Sequence, residues 1–238
     1  MKRVFIPLAF LLLLLCGCSV TEEIGLSKPE ATASANTSAT FLEVQDFFID
    51  VLGDYEEFAD EAHPTKAMDN AVDTLAQSLK QSGGASEVSF YKIGDRMYQG
   101  TFVFNDIATL LTDLGASKGQ TILTKNGNTL SFHLDLQNYG ELQKVVPFLK
   151  DKNFEPFGAT YNEGMSEEDY LDMVTFMLGD NAPEAIKNSR IDFYVKTPGA
   201  IVSQQNGTLV DENTFCFSFR LIDFLLLSKP IECSVTWR

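Results

Sequence analysis

Ile231, Cys233, Val235 and Trp237 alternate with Glu232, Ser234 and Thr236, and Phe215, Phe217 and Phe219 alternate with Cys216 and Ser218. Side chains on a strand leave opposite faces in turn, so a period of two places each apolar set on one face. Ile191, Phe193 and Val195 repeat the pattern. A chain built this way must form sheet and must cover one side of it. Turn signals punctuate the same region: Pro198-Gly199, and Asn206-Gly207 between Ile201 to Ser203 and Thr208 to Val210. Residues 191–237 therefore predict a four- or five-stranded antiparallel meander.

Upstream, Glu87 to Ile93 and Met97 to Phe104 flank Gly94-Asp95-Arg96, a hairpin signal. Thr121 to Thr124 and Thr129 to Leu136 flank Asn126-Gly127, which predicts a type I′ hairpin. Helical stripes lie between and before these strands. Val44, Phe47, Phe48, Val51, Tyr55 and Phe58 recur at helical spacing. Met68, Ala71, Val72, Leu75 and Leu79 do so after Pro64, with Thr65 as cap and Gly83-Gly84 as the stop. Short helices are expected at Ile107 to Leu114 and at Leu142 to Leu149, the latter bent or ended by Pro147. Ser166 caps a helix that Gly179 closes, and Asn181 with Pro183 opens another turn. Strands interleaved with helices, without strict β-α-β alternation, give an α+β fold: an antiparallel sheet of hairpins and a C-terminal meander packed against amphipathic helices.

The N-terminus reads differently. Lys2 and Arg3 precede an apolar run from Val4 to Leu15, shorter than the ~20 residues a helix needs to cross a bilayer. A basic front, short apolar run and small residues behind describe a cleaved signal peptide over residues 1–17. Leu15-Cys16-Gly17-Cys18 resembles the lipobox of bacterial lipoproteins, with a branched apolar residue three positions before the modified Cys and a small one directly before it. The resemblance implies lipidation of Cys18, with acyl chains such as palmitate holding the chain to a membrane of the cell envelope. Ser19 stands where an Asp would mark inner-membrane retention, which leans towards the outer membrane or surface. Residues 18–40, rich in Ser, Thr and Ala, read first as a tether. Ala31 to Phe41 as a strand is the alternative. Residues 41–238 are read as a single α+β domain.

The full chain carries a net charge of −15; loss of Lys2 and Arg3 with the signal leaves −17. That acidity excludes nucleic acid as a natural partner and disfavours anionic lipid surfaces. Of four cysteines, only Cys216 and Cys233 lie outside the signal region. Alternation puts them on opposite faces, which favours free buried thiols over a disulfide.

Phe193-x-Val195-x-x-Pro198-Gly199-x-Ile201, then Asn206-Gly207-Thr208, Asn213-Thr214 and the final aromatic strands resemble the LppM-type domain of bacterial lipoproteins. The resemblance covers about residues 188–238. It implies an envelope-anchored α+β domain with no established catalytic residues.

Candidate chemistry is sparse. His133 and Asp135 leave the same strand face and Asn138 could join them, but a zinc site needs three or four ligands, so a polar outer face is the better reading. Glu56, Glu57, Asp60, Glu61 and His63 crowd one segment without the glycine-turned loop that calcium favours. Glu167, Glu168 and Asp169 follow the cap Ser166, where acids offset the helix dipole. No Gly-x-Ser-x-Gly elbow or phosphate loop is present, and two histidines leave few bases for a triad. No catalytic residue, metal or cofactor is expected. The expectation is a membrane-anchored envelope lipoprotein, non-enzymatic, that binds a partner protein, glycan or lipid or plays a structural part. The alternatives are a hydrolase assembled around His133 and a carrier of lipid or another small ligand.

Overall fold

The computed structural model describes residues 19–26, 30–36, 73, 76–93, 97–104, 106–146, 149 and 155–238. The lipobox, the helical stripe at 44–58 and the acidic segment at 56–63 lie outside these residues.

Among the described residues, two strands come first, β1 (Ser19–Gly25) and β2 (Glu30–Asn36), then helical residues 76–81, β3 (Ala85–Ile93) and β4 (Met97–Phe104). Then come α1 (Ile107–Asp113), β5 (Leu123–Asn126), β6 (Thr129–Leu134) and α2 (Tyr139–Val145). A 3-10 turn at Glu155–Phe157 leads to α3 (Glu167–Leu178) and α4 (Ala182–Asn188). The last part holds β7 (Arg190–Lys196), β8 (Ile201–Gln205), β9 (Thr208–Leu209), β10 (Thr214–Arg220), α5 (Leu221–Leu226) and β11 (Ile231–Trp237). The fold class is α+β. Among the described residues, seven strands form one sheet in the order β3-β4-β2-β1-β7-β10-β9, and four form a second, β5-β6-β11-β8.

Where a tether was expected, Ser19–Gly25 and Glu30–Asn36 are strands; residues 18, 27–29 and 37–40 of that stretch lie outside the described residues. β1 lies in the middle of the large sheet, antiparallel to β2 from Ser19↔Asn36 to Gly25↔Glu30 and parallel to β7 from Ser19↔Arg190 to Gly25↔Lys196. The alternative strand reading was nearer, though the strand runs Glu30–Asn36. Composition misled because a central strand is held by backbone N–H and C=O groups on both sides, and small polar side chains satisfy that ladder as well as large ones.

The C-terminal strands form where alternation placed them, but not as one meander. β7 and β10 pair in the large sheet, while β11 pairs with β6 and β8 in the small one. Asn206-Gly207 closes no hairpin: β8 on one side of it joins the small sheet, and β9 on the other joins β10. The chain crosses between sheets there, with Asn206 at φ 56. Adding a Cβ to Gly207 would bring it within 2.3 Å of the Phe215 ring, so the crossing is possible only without a side chain. The β5–β6 turn also differs in type. Asn126 pairs with Thr129, so Gly127 and Asn128 are the central residues. Gly127 has φ +58 and Asn128 does not share it, the pattern of type II′.

Helix α5 escaped sequence reading because Leu221, Ile222, Phe224, Leu225 and Leu226 are all buried. A short segment apolar all round has no stripe to detect. It packs among α2, α4 and β10, with Phe224 against Tyr139 at 6.1 Å between ring centroids. Leu227 ends it in the left-handed conformation, φ 43 and ψ 36, its N–H donating to the Asp223 carbonyl. Ser166 and Gly179 bound α3 as expected: the Ser166 hydroxyl accepts from the Asp169 N–H, and Gly179 has φ 87.

A tether can be removed without loss of fold; a central hairpin cannot. Residues 37–238 alone are expected to show no cooperative thermal transition by circular dichroism, while residues 19–238 show one. Retention of the transition after the deletion would return residues 19–36 to the status of a linker.

Candidate functional site

The two sheets meet through phenylalanine. Ile191, Phe193 and Val195 stand opposite Phe219, Phe217 and Phe215 in the β7–β10 ladder, so all six share one face. The facing side of the small sheet carries Leu130, Phe132 and Leu134 from β6 and Ile231, Cys233 and Val235 from β11. Phe132 lies 6.3 Å from both Phe193 and Phe217 and 6.5 Å from Phe219, and Phe217 lies 5.5 Å from Phe219. Such pairs contribute about 0.5–1.5 kcal/mol each beyond burial. Phe217 is buried, but Phe132, Phe193 and Phe219 are only partly so. The sheets are thus sealed at Phe215 and Val195 and less completely closed at Phe219.

A cleft of about 520 Å³ occupies that region. Phe217, Phe219, Met165, Leu226 and Ile231 give it apolar walls, and Arg220, Lys229, Glu167 and Asp223 bring charge to it. Its size falls within the range of small-ligand sites, which combine apolar walls with a few fixed polar groups.

Arg220 fixes the geometry of one wall. It donates to both Glu167 carboxylate oxygens at 3.2 and 3.1 Å, and to Asp223 at 3.1 Å from Nε and 2.6 Å from Nη2. One side chain thereby ties the end of β10 to the first turns of α3 and α5. The bonds to Asp223 and Glu167 hold its guanidinium even more firmly protonated than usual. Glu167 was read as a dipole-facing acid of α3; it is also half of this clamp. Arg220 itself was not singled out, although a cation directly before a wholly apolar run is a signal that sequence reading could have used.

His133, Asp135 and Asn138 do come together, but not as a ligand set. His133 and Glu232 are partners in the β6–β11 ladder, on the face away from the aromatic cluster. The ring bonds Glu232 through Nδ1 at 3.0 Å and Asp135 through Nε2 at 3.2 Å. Asn138 serves the backbone: its Nδ2 donates to the His133 carbonyl and to Thr121 Oγ1, and its Oδ1 accepts from the Asp135 N–H. With a carboxylate on each ring nitrogen, the imidazole has its protonated form favoured and both nitrogens engaged. Glu232 was missed because its partner lies 99 residues away; only the register of β11 against β6 reveals it. Among the described residues no group of three or more His, Cys, Asp and Glu side chains is placed to hold a metal. Glu168 and Asp169 stay in the first turn of α3, with Asp169 accepting from the Ser166 hydroxyl at 2.6 Å.

Cys216 and Cys233 are free. Cys233 is buried between the sheets, and Cys216 points away from them beside Tyr194. Burial pushes the Cys233 thiol up to about 12, which leaves it unreactive near neutral pH.

No family model matches the sequence, and no curated protein matches it. Among solved structures, the chain is similar to the folded domain of LppM from Mycobacterium tuberculosis, determined by NMR. That match covers 100% of this chain and 95% of the other, at 12% identity and a TM-score of 0.39. No site or activity transfers at that distance.

The histidine clamp has a measurable signature. Burial lowers the His133 pKa, but its bonds to Asp135 and Glu232 outweigh that and raise it above 6.5. Asp135 is also opposed by burial, yet the backbone N–H groups of Asn138 and Gln137 and the His133 ring hold it below its ordinary value. A raised folded-state pKa stabilises the fold fully below 6.5 and ceases to do so as pH climbs through the raised value. With 37% of the side chain exposed, screening limits each pair to about 0.5 kcal/mol. An NMR titration should give a His133 midpoint above 6.5, falling in Asp135→Asn and again in Glu232→Gln. A midpoint unchanged by both substitutions would show that the carboxylates do not act on the ring.

Proposed function

We propose that this protein is a non-enzymatic, lipid-anchored component of the bacterial cell envelope whose domain binds a small amphipathic or apolar molecule. The observation that carries the binding role is the cleft between the sheets, with Phe217 and Phe219 in its wall and the Arg220 clamp holding its rim. Phe217 and Phe219, with Met165, Leu226 and Ile231, offer an apolar surface, and Arg220 and Lys229 supply polar groups for one end of a ligand. The anchor rests on the sequence: a signal peptide over residues 1–17 and a lipobox ending in Cys18, whose acyl chains, palmitate among them, would hold the mature chain to a membrane. Ser19 after that Cys favours the outer membrane or cell surface over the inner membrane. No helix among the described residues is long and apolar enough to cross a membrane. A polar end group together with an apolar body describes a lipid better than a glycan, and the partner class is drawn accordingly.

Native mass spectrometry of residues 19–238, purified from a bacterial host, tests the binding role. A reproducible excess of a few hundred daltons that disappears on denaturation is expected, together with its reduction in Lys229→Glu, an exposed position in the cleft wall, at little change in melting temperature. A native mass equal to the denatured one would remove the carrier reading and leave a structural or protein-binding module.

A further inference from the structure

We infer that the end of the large sheet marked by Ser19, Arg190 and Arg220 is the face that rests on the lipid bilayer, with the cleft held at headgroup level. The inference deepens the proposed function and rests on its acylation of Cys18.

It begins with covalent reach. β1 starts at Ser19, one peptide unit from Cys18, and consecutive Cα atoms are only about 3.8 Å apart. A flexible tether of n residues would let the domain stand off by roughly 5–6 Å × √n. With β1 built into the sheet from its first residue, that freedom is gone. Wherever the acyl chains enter the membrane, the N-terminal end of β1 must follow.

The register then says which residues arrive with it. Ser19 stands beside Arg190 of β7 and Asn36 of β2; Arg190 stands beside Arg220 of β10; Asn36 stands beside Met97 of β4. Arg220 is two strands from Ser19, or about 10 Å at the usual spacing of ~4.8 Å. Arg220 is also a wall residue of the cleft, and so are Phe219 and the exposed run Ser228, Lys229 and Pro230. The opposite end of the sheet carries Gly25, Lys196 and Thr214, about 20 Å away along β1. Exposed Glu212 lies just before β10 at that far end, and Trp237 lies there too, its neighbour Arg238 packed against Gly199. The anchor and the cleft thus share one end of the sheet, and the occupant this geometry favours is a lipid drawn from the bilayer on which the domain sits.

The test uses the full acylated chain in phosphatidylcholine vesicles whose acyl chains are brominated near the carboxyl end. Trp237 is the single tryptophan and serves as the distant reference. Lys229→Trp adds a reporter beside the cleft, and Glu212→Trp adds one at the far end; both positions are exposed, so both variants should fold. Brominated lipid should quench most of the emission that Lys229→Trp adds. Emission from Trp237 in the unsubstituted chain, and from the Glu212→Trp variant, should stay close to its value in unbrominated vesicles. Chains that float with the vesicles but show equal quenching at both ends, or none of the emission added by Lys229→Trp, overturn the orientation and leave the anchor intact. Chains that neither carry lipid nor float overturn the anchor, and the orientation with it.

Discussion

The architecture depends on the double pairing of β1. Antiparallel to β2 on one side and parallel to β7 on the other, it joins the β3-β4-β2 part of the sheet to the β7-β10-β9 part. Without it the second part loses its covered edge, and β7 would present unpaired N–H and C=O groups along its length, a cost for any buried edge. Phe193, Phe217 and Phe219 of the aromatic cluster sit on β7 and β10 directly beyond this seam.

The second organising feature is the crossing of the chain between sheets at Asn206-Gly207. It sends β8 to the small sheet and β9 back to the large one, and thereby stitches the layers whose inner faces meet through phenylalanine. Beside the cleft, Arg220, bonded to Glu167 and Asp223, ties the last residue of β10 to the first turns of two helices. The arrangement leaves a cleft between the sheets instead of a fully closed core, and the binding role proposed for the domain follows from that incompleteness.

His133 shows how one residue can be read correctly for its face and incompletely for its surroundings. Its alternation with Phe132 and Leu134 placed it on the outer face, and Asp135 followed two residues later. That pair alone could be half of a metal site or part of a polar surface. Glu232 completes the picture: with a carboxylate on each ring nitrogen, the group is a hydrogen-bonded clamp across the β6–β11 pair.

Local pattern in the sequence was enough for the α+β class, for most strands, for the Ser166 and Gly179 boundaries of α3 and for the outward and inward faces of β6, β10 and β11. These depend on side-chain periodicity and turn chemistry within a few residues. What tertiary structure alone decided was pairing: that Ser19–Gly25 and Glu30–Asn36 are central strands rather than tether, that the C-terminal strands divide between two sheets, that the all-apolar run at Leu221–Leu226 is helix, and that Arg220 meets Glu167 and His133 meets Glu232. The reason is common to all of these. Strand pairing and ion pairing join groups distant in the chain, the backbone ladder that holds a central strand is indifferent to side-chain type, and a segment buried on every side carries no period by which it can be recognised.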